Sequence, residues 1–214
     1  MNDVPLWIKV CGLRTVEAVE AAVEAGADAV GFVFHAASPR NLELETARSL
    51  AGVVPSSVAR VAVFMHPAQA LLDAAVEAVH PEWVQTDAGD LPRLRVPPGV
   101  RVLPVYRTGA AIASESIRDR RFLLESARSG AGERADWNAA AAVPRVGEMV
   151  LAGGLDAGNV GEAIATVRPF GVDVSSGVER QRGIKDPALI RAFVSTARKM
   201  GTLRISDGSR EACK

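Results

Sequence analysis

The chain has 214 residues, 48% of them hydrophobic, with 25 Lys plus Arg against 25 Asp plus Glu and a formal net charge of zero. That length suits one domain with a substantial core, and a neutral chain without a basic stripe argues against nucleic acid or an anionic membrane as partner. No apolar run approaches the roughly 18–20 residues that cross a bilayer, the N-terminus does not resemble a secretory signal, and Cys11 and Cys213 stand at opposite ends of the chain rather than in a disulfide framework, so the expectation is a reduced, cytoplasmic, soluble protein.

Short β-branched apolar runs alternate with amphipathic, Ala-rich stretches. Strands are expected at 7–10, 29–34, 59–64, 83–85, 100–106, 122–125, 149–152 and 172–175. Helices are expected between them at 15–25, 44–52, 67–79, 136–143, 159–167 and 187–199. In the first helix Val16, Val19, Ala22 and Val23 form one apolar stripe. Thr15 and Asn159 read as N-caps, and Gly26 as the residue just past a helix end. The stretches 91–95 and 113–118 are weak helices, so the fourth and fifth crossovers are expected to be short or irregular. Eight strands, most followed by a helix at a spacing of roughly 20–27 residues, match a parallel repeat closing into a single-domain (β/α)8 TIM barrel over residues 1–200. An open doubly wound sheet competes, but Cys11-Gly12-Leu13-Arg14 lacks the glycine fingerprint such a sheet carries after its first strand. Residues 201–214 are polar and contain Gly and Ser, and read as a loosely held tail.

In such a barrel the chemistry sits at the C-terminal ends of the strands. Cys11 ends the first. A free thiol's pKa of roughly 8.5 is near enough to neutrality for a base or nucleophile, although a Cys more often only fills space. Gly153-Gly154 follows strand seven, and Ser176-Gly177 follows strand eight at the start of a short helix. Glycines at both loops let backbone N–H groups approach an anion, at the usual phosphate position of these barrels. Arg40, after Ser38-Pro39, offers a planar fork that suits a carboxylate. Glu125 ends the apolar run of strand six, where partial desolvation suits a carboxyl to donate a proton. His35, His66 and His80 do not cluster with Asp, Glu or Cys at a metal-ligand spacing, so no metal site is read.

Taken together, Lys9-Val10-Cys11-Gly12-Leu13, the stretch 24–34, Ser38-Pro39-Arg40, Val61-Ala62-Val63-Phe64, Asp136-Trp137, Leu151-Ala152-Gly153-Gly154-Leu155, the stretch 171–179 and Gly183-Ile184-Lys185-Asp186 resemble the phosphoribosylanthranilate isomerases of tryptophan biosynthesis over about residues 7–199. The resemblance implies a barrel of the ribulose-phosphate-binding type and a cofactor-free Amadori rearrangement, the third step from chorismate to tryptophan. In it an aminoaldose phosphate becomes 1-(2-carboxyphenylamino)-1-deoxyribulose 5-phosphate. It also implies the roles: Cys11 as general base, and Glu125 where the family has an aspartic acid as general acid. Arg40 would take the anthranilate carboxylate and Asp173 the amine or a ribose hydroxyl. Gly153, Gly154, Ser176 and Gly177 would grip the phosphate. The implied partner is a small phosphorylated substrate, with the chain a monomer or homodimer. Three departures stand out. Glu125 is one methylene longer than the family residue. Gln85-Thr86-Asp87-Ala88-Gly89 replaces the usual Gln-Leu-His-Gly. Glu133 and Arg134 change the loop that keeps Gly130 and Gly132. The alternatives are a related aminoaldose-phosphate isomerase with an altered substrate, and a catalytically dead barrel that binds a phosphorylated ligand.

Overall fold

The computed structural model describes residues 5–107, 121–126, 136–143 and 147–211, the stretch 203–211 as backbone. Eight strands close into one barrel in chain order: β1 (Trp7–Cys11), β2 (Ala29–Phe34), β3 (Ala59–Phe64), β4 (Trp83–Asp87), β5 (Arg101–Arg107), β6 (Arg121–Glu125), β7 (Glu148–Leu151) and β8 (Gly171–Val174). Neighbours are all parallel, and β8 closes onto β1 with Trp7 opposite Gly171 and Lys9 opposite Asp173. The helices are α1 (Val16–Glu24), α2 (Leu44–Ala51), α3 (Gln69–Val79), α4 (Trp137–Ala141), α5 (Val160–Val167) and α6 (Pro187–Glu211). The fourth crossover is one 3-10 turn, Ala88–Arg93, as its weak helical pattern predicts. The 113–118 stretch and the loop with Gly130, Gly132, Glu133 and Arg134 lie outside the described residues.

The period of two along each strand sorts side chains into two cores. Outward-facing Ile8, Val10, Val30, Phe32, Ala62 and Val84 pack under the helices. Inward-facing Trp7, Ala29, Val61, Trp83, Leu103, Val105, Leu123 and Val150 fill the barrel. The same parity turns Lys9 and Cys11, Gln85 and Asp87, Arg107, Glu125, Ala152 and Asp173 inward.

The caps differ in one detail from the sequence reading. Thr15 Oγ1 accepts from Ala18 N at 3.2 Å, as an N-cap should. Asn159 stands at the cap position of α5 but makes no capping bond there. Its amide instead donates to Gly154 O at 2.8 Å, and its Oδ1 accepts from Asp156 N at 3.0 Å, tying down the loop after β7. After β8 a 3-10 turn, Ser176–Val178, leads into a two-stranded antiparallel hairpin, β9 (Glu179–Gln181) and β10 (Ile184–Lys185). The segment expected as a tail differs in that its backbone stays helical through Glu211. Gly201 does not terminate the helix. It is buried, and a Cβ there would stand 2.7 Å from Leu6 Cβ, so it marks a close approach of α6 to the N-terminal segment. Among the described residues no helix is long and apolar enough to cross a membrane.

Candidate active site

Cys11 is the last residue of β1 and is buried. Its neighbour across the ladder is Gly31, and a Cβ at that position would lie 2.9 Å from Cys11 Sγ and 3.3 Å from Lys9 Cε. The missing side chain on β2 is therefore the space that the thiol and the lysine stem share. Lys9, two residues back on the same inward face, is fully buried, and its ammonium donates to Asp173 Oδ1 at 2.8 Å. Burial pushes the Cys11 thiol up, and Asp173 adds to that, while the Lys9 and Lys185 ammoniums pull it back. Burial alone would lower Lys9, but the Asp173 and Cys11 charges outweigh it, so Lys9 is raised and stays charged. Burial raises Asp173, and the two lysines oppose the rise.

Arg40 is buried as well, clamped to Glu179 by two bonds, Nε to Oε1 at 2.7 Å and Nη2 to Oε2 at 3.0 Å. Lys185 donates to the same Oε1 at 2.9 Å and to Ser175 O at 2.7 Å. Burial alone would raise Glu179; the Arg40 guanidinium, the Lys185 ammonium and the Gly183 N–H outweigh it and hold the carboxyl down at about 2. Burial lowers Lys185, and Glu179 opposes that fall. The carboxylate-binding edge expected of Arg40 is thus partly used within the protein, with Nη1 left outside the clamp.

The loops after β7 and β8 meet. Gly153 and Gly154 have φ of +97° and +63°, a left-handed backbone that other residues seldom adopt. A Cβ on Gly177 would come within 1.9 Å of Leu155 O, so only glycine permits that contact. The two pairs singled out from sequence therefore stand side by side, with Ser176 opening the 3-10 turn. Glu125 ends β6 on the inward parity, half-buried, opposite Arg107 in the ladder.

Where the family pattern has a histidine, Asp87 binds Arg107 Nη2 at 2.6 Å. An imidazole nonetheless comes near: His66, from the loop after β3, places Nε2 at 3.5 Å from Asp87 and Nδ1 at 3.0 Å from Asp90. The expectation that no histidine joins acidic residues is corrected here, because His66, Asp87 and Asp90 bring ligand-type atoms within 4.8 Å of one another. The separation of 21 positions between His66 and Asp87 hides this in the sequence; the β3–β4 pairing creates it. Thr86 Oγ1 also donates to Asp90 at 2.8 Å, and Arg93 pairs with it. With guanidinium groups on both carboxylates, the cluster reads as a polar knot between two loops rather than as a cation site.

Sequence reasoning passed over Lys9, Lys185 and Glu179 as site residues, and placed Gln85 at a strand end without giving it a role. The first three are charged yet buried, which no local pattern announces. Gln85 is inward-facing, 7% exposed, and its Oε1 has no hydrogen-bond partner among the described residues.

A closed parallel barrel whose mouth gathers a thiol, a carboxyl, adjoining glycine loops and buried ion pairs has the architecture of a (β/α)8-barrel enzyme. Residues 8–196 match the family model described as N-(5'phosphoribosyl)anthranilate (PRA) isomerase. The chain is 41% identical over 210 residues to N-(5'-phosphoribosyl)anthranilate isomerase of Rhodopseudomonas palustris, covering 89% of this chain and 97% of that one. It superposes on the crystal structure of phosphoribosyl anthranilate isomerase from Thermotoga maritima with a TM-score of 0.75 and 32% identity, over 91% of this chain and 99% of that one. A phosphoribosyl anthranilate isomerase in complex with reduced 1-(o-carboxyphenylamino)-1-deoxyribulose 5-phosphate matches at a TM-score of 0.72 and 30% identity, over 91% and 99%. The chain belongs to the N-(5'-phosphoribosyl)anthranilate isomerase family.

Proposed function

We propose that the chain isomerises N-(5'-phosphoribosyl)anthranilate to the matching 1-deoxyribulose 5-phosphate by proton transfers alone, as a cytoplasmic enzyme of tryptophan biosynthesis acting as a monomer or homodimer, without nucleic-acid or membrane partners. The observation that carries this reading is the inward parity of both proton-transfer candidates, Cys11 and Glu125, at the C-terminal rim of one closed barrel. Glu125 protonates the ribose ring oxygen and the ring opens to an iminium. Cys11 removes the C2′ proton, and the resulting enolamine relaxes to the ketone. Each positioned acid or base typically contributes roughly 10²–10⁴ in rate.

The phosphate lies against the adjoining loops at Gly153, Gly154, Ser176 and Gly177, where left-handed glycines and the 3-10 turn offer N–H groups. Arg40 receives the anthranilate carboxylate through the edge that Glu179 does not use. Asp173, with Oδ1 held by Lys9, contacts the amine or a ribose hydroxyl. Gln85 Oε1 takes a substrate hydroxyl: an unpaired buried acceptor costs about 1–3 kcal/mol, and a bound donor relieves it.

The test is direct turnover of phosphoribosylanthranilate, followed by loss of its anthranilate fluorescence. Steady turnover by the purified chain supports the reading. No turnover with retained phosphate-ligand binding overturns it in favour of an inactive binding barrel; turnover of a different aminoaldose phosphate alone overturns the substrate assignment.

A further inference from the structure

Five charged side chains buried around Cys11 come from five places in the chain: Lys9 on β1, Arg40 after β2, Asp173 on β8, Glu179 on β9 and Lys185 on β10. Lys9, Arg40, Asp173 and Lys185 are each no more than 8% exposed, and the Glu179 side chain is 4% exposed. They form two linked groups. Lys9 pairs with Asp173 at 2.8 Å. Arg40 and Lys185 share Glu179 at 2.7 and 2.9 Å. Ser175 joins the groups to the thiol strand, donating to Cys11 O at 3.1 Å while its own Oγ lies 3.2 Å from Lys185 Nζ. Three cations against two carboxylates leave the cage with one net positive charge. An unbalanced buried charge is expensive, and side chains are arranged so that something neutralises it.

We propose that this cage holds one more cation than carboxylate, that the excess favours the thiolate form of Cys11 against the cost of its burial, and that Lys9 and Lys185 are the positioning residues that keep the Cys11 proton transferable. This rests on the reading of Cys11 as the base, and adds that the thiol does not act alone. Among the described residues, the charged groups facing it are Lys9 from its own strand, Asp173 from β8 and Lys185 from β10, with Glu179 and Arg40 behind Lys185; β2 offers Gly31. Burial raises the thiol and the two ammoniums return part of that rise, so removing one lysine raises the thiol further. Of the two, Lys185 is the cleaner to remove, because Glu179 keeps its two bonds to Arg40. Removing Lys9 strands the buried Asp173.

The experiment titrates the thiolate by its ultraviolet absorbance in the full chain carrying Cys213→Ser, with the Cys11→Ser, Cys213→Ser double variant as blank. Against that parent, Lys185→Met and Lys185→Gln are expected to move the Cys11 midpoint up by about one pH unit, and Lys185→Arg to restore most of it. The basic rise of kcat/KM should shift by the same amount. A midpoint in both neutral variants unchanged or lowered relative to the parent overturns the proposal. Lys9→Met, if it folds, is expected to shift the midpoint the same way; if it does not, the Lys185 series decides. The absorbance needs no turnover, so it fails independently of the function reading: an active Cys11→Ser sinks the base assignment, an unmoved midpoint sinks the cage.

Discussion

At the N-terminal floor of the barrel the Arg121 guanidinium lies 4.9 Å from the Trp7 ring centre, 5.0 Å from Trp83 and 4.4 Å from Phe170, and pairs with Glu148 at 2.7 Å. At the C-terminal mouth Lys9, Asp173 and Lys185 face a thiol, with Glu179 and Arg40 behind Lys185. Both ends put charge inside a barrel. At the floor Arg121 is paired with Glu148 and stacked on aromatic faces, which attract it through their quadrupoles. The mouth leaves cations in excess and sets a titratable group among them. A balanced plug resists change and contributes stability. An unbalanced cage responds to a proton or an anion, which a catalytic site requires.

The largest effect that separates the two ends is expected at Cys11. Cys11→Ser should lose roughly 10²–10⁴ in turnover, since a hydroxyl is far too weak a base at neutral pH, with thermal unfolding nearly unmoved. A serine variant within a few-fold of the parent rate removes Cys11 from the mechanism. Next comes Glu125→Gln, expected to slow ring opening by at least about 10² and to erase the basic limb of the pH profile, with Glu125→Asp tolerated. If that limb persists in the Gln variant, the proton comes from another group.

At the floor the signature reverses. Arg121→Met should lower stability by about 2 kcal/mol in urea unfolding, through lost cation–π and ion-pair contacts, while kcat stays within two-fold. A large fall in kcat at intact stability would break the division of labour between the ends. The mouth's ion pairs also contribute stability, with a distinct pH signature. Glu179 is held at about 2 against an ordinary 4.5, so its contribution is complete above pH 4.5 and is lost as pH falls toward 2. Unfolding followed down that range should show a loss in the parent that Glu179→Gln lacks. The smallest effect concerns Gln85. Gln85→Leu removes an unpaired buried acceptor, so the free protein should gain about 1 kcal/mol while KM rises; a destabilised variant with unchanged KM shows that Oε1 serves the fold.

Much of the architecture was legible in the order of residues. Short β-branched apolar runs named all eight strands, because a strand buried on both faces must be apolar or inward-useful at each position. The rim positions of Cys11, Glu125 and the glycine pairs were legible because strand ends can be read from the apolar runs, and because left-handed turns at Gly153 and Gly154 call for glycine. The helical continuation past Gly201 was not, because a glycine that reads as a break is required there by the approach of Leu6, a contact 195 residues away in the chain.

What the tertiary structure decided is which charges meet. Lys9 and Asp173 are 164 residues apart, Arg40 and Glu179 139 apart. In the sequence Lys9, Lys185 and Glu179 look like ordinary polar positions. Closing β8 onto β1, and folding the β9–β10 hairpin back over the mouth, buries them together. His66 reaches Asp87 by the same kind of long-range pairing, through adjacent strands β3 and β4. The side-chain period along a strand is local and can be read from the sequence. The electrostatic environment of a thiol is the sum over neighbours that only barrel closure brings within a few ångströms.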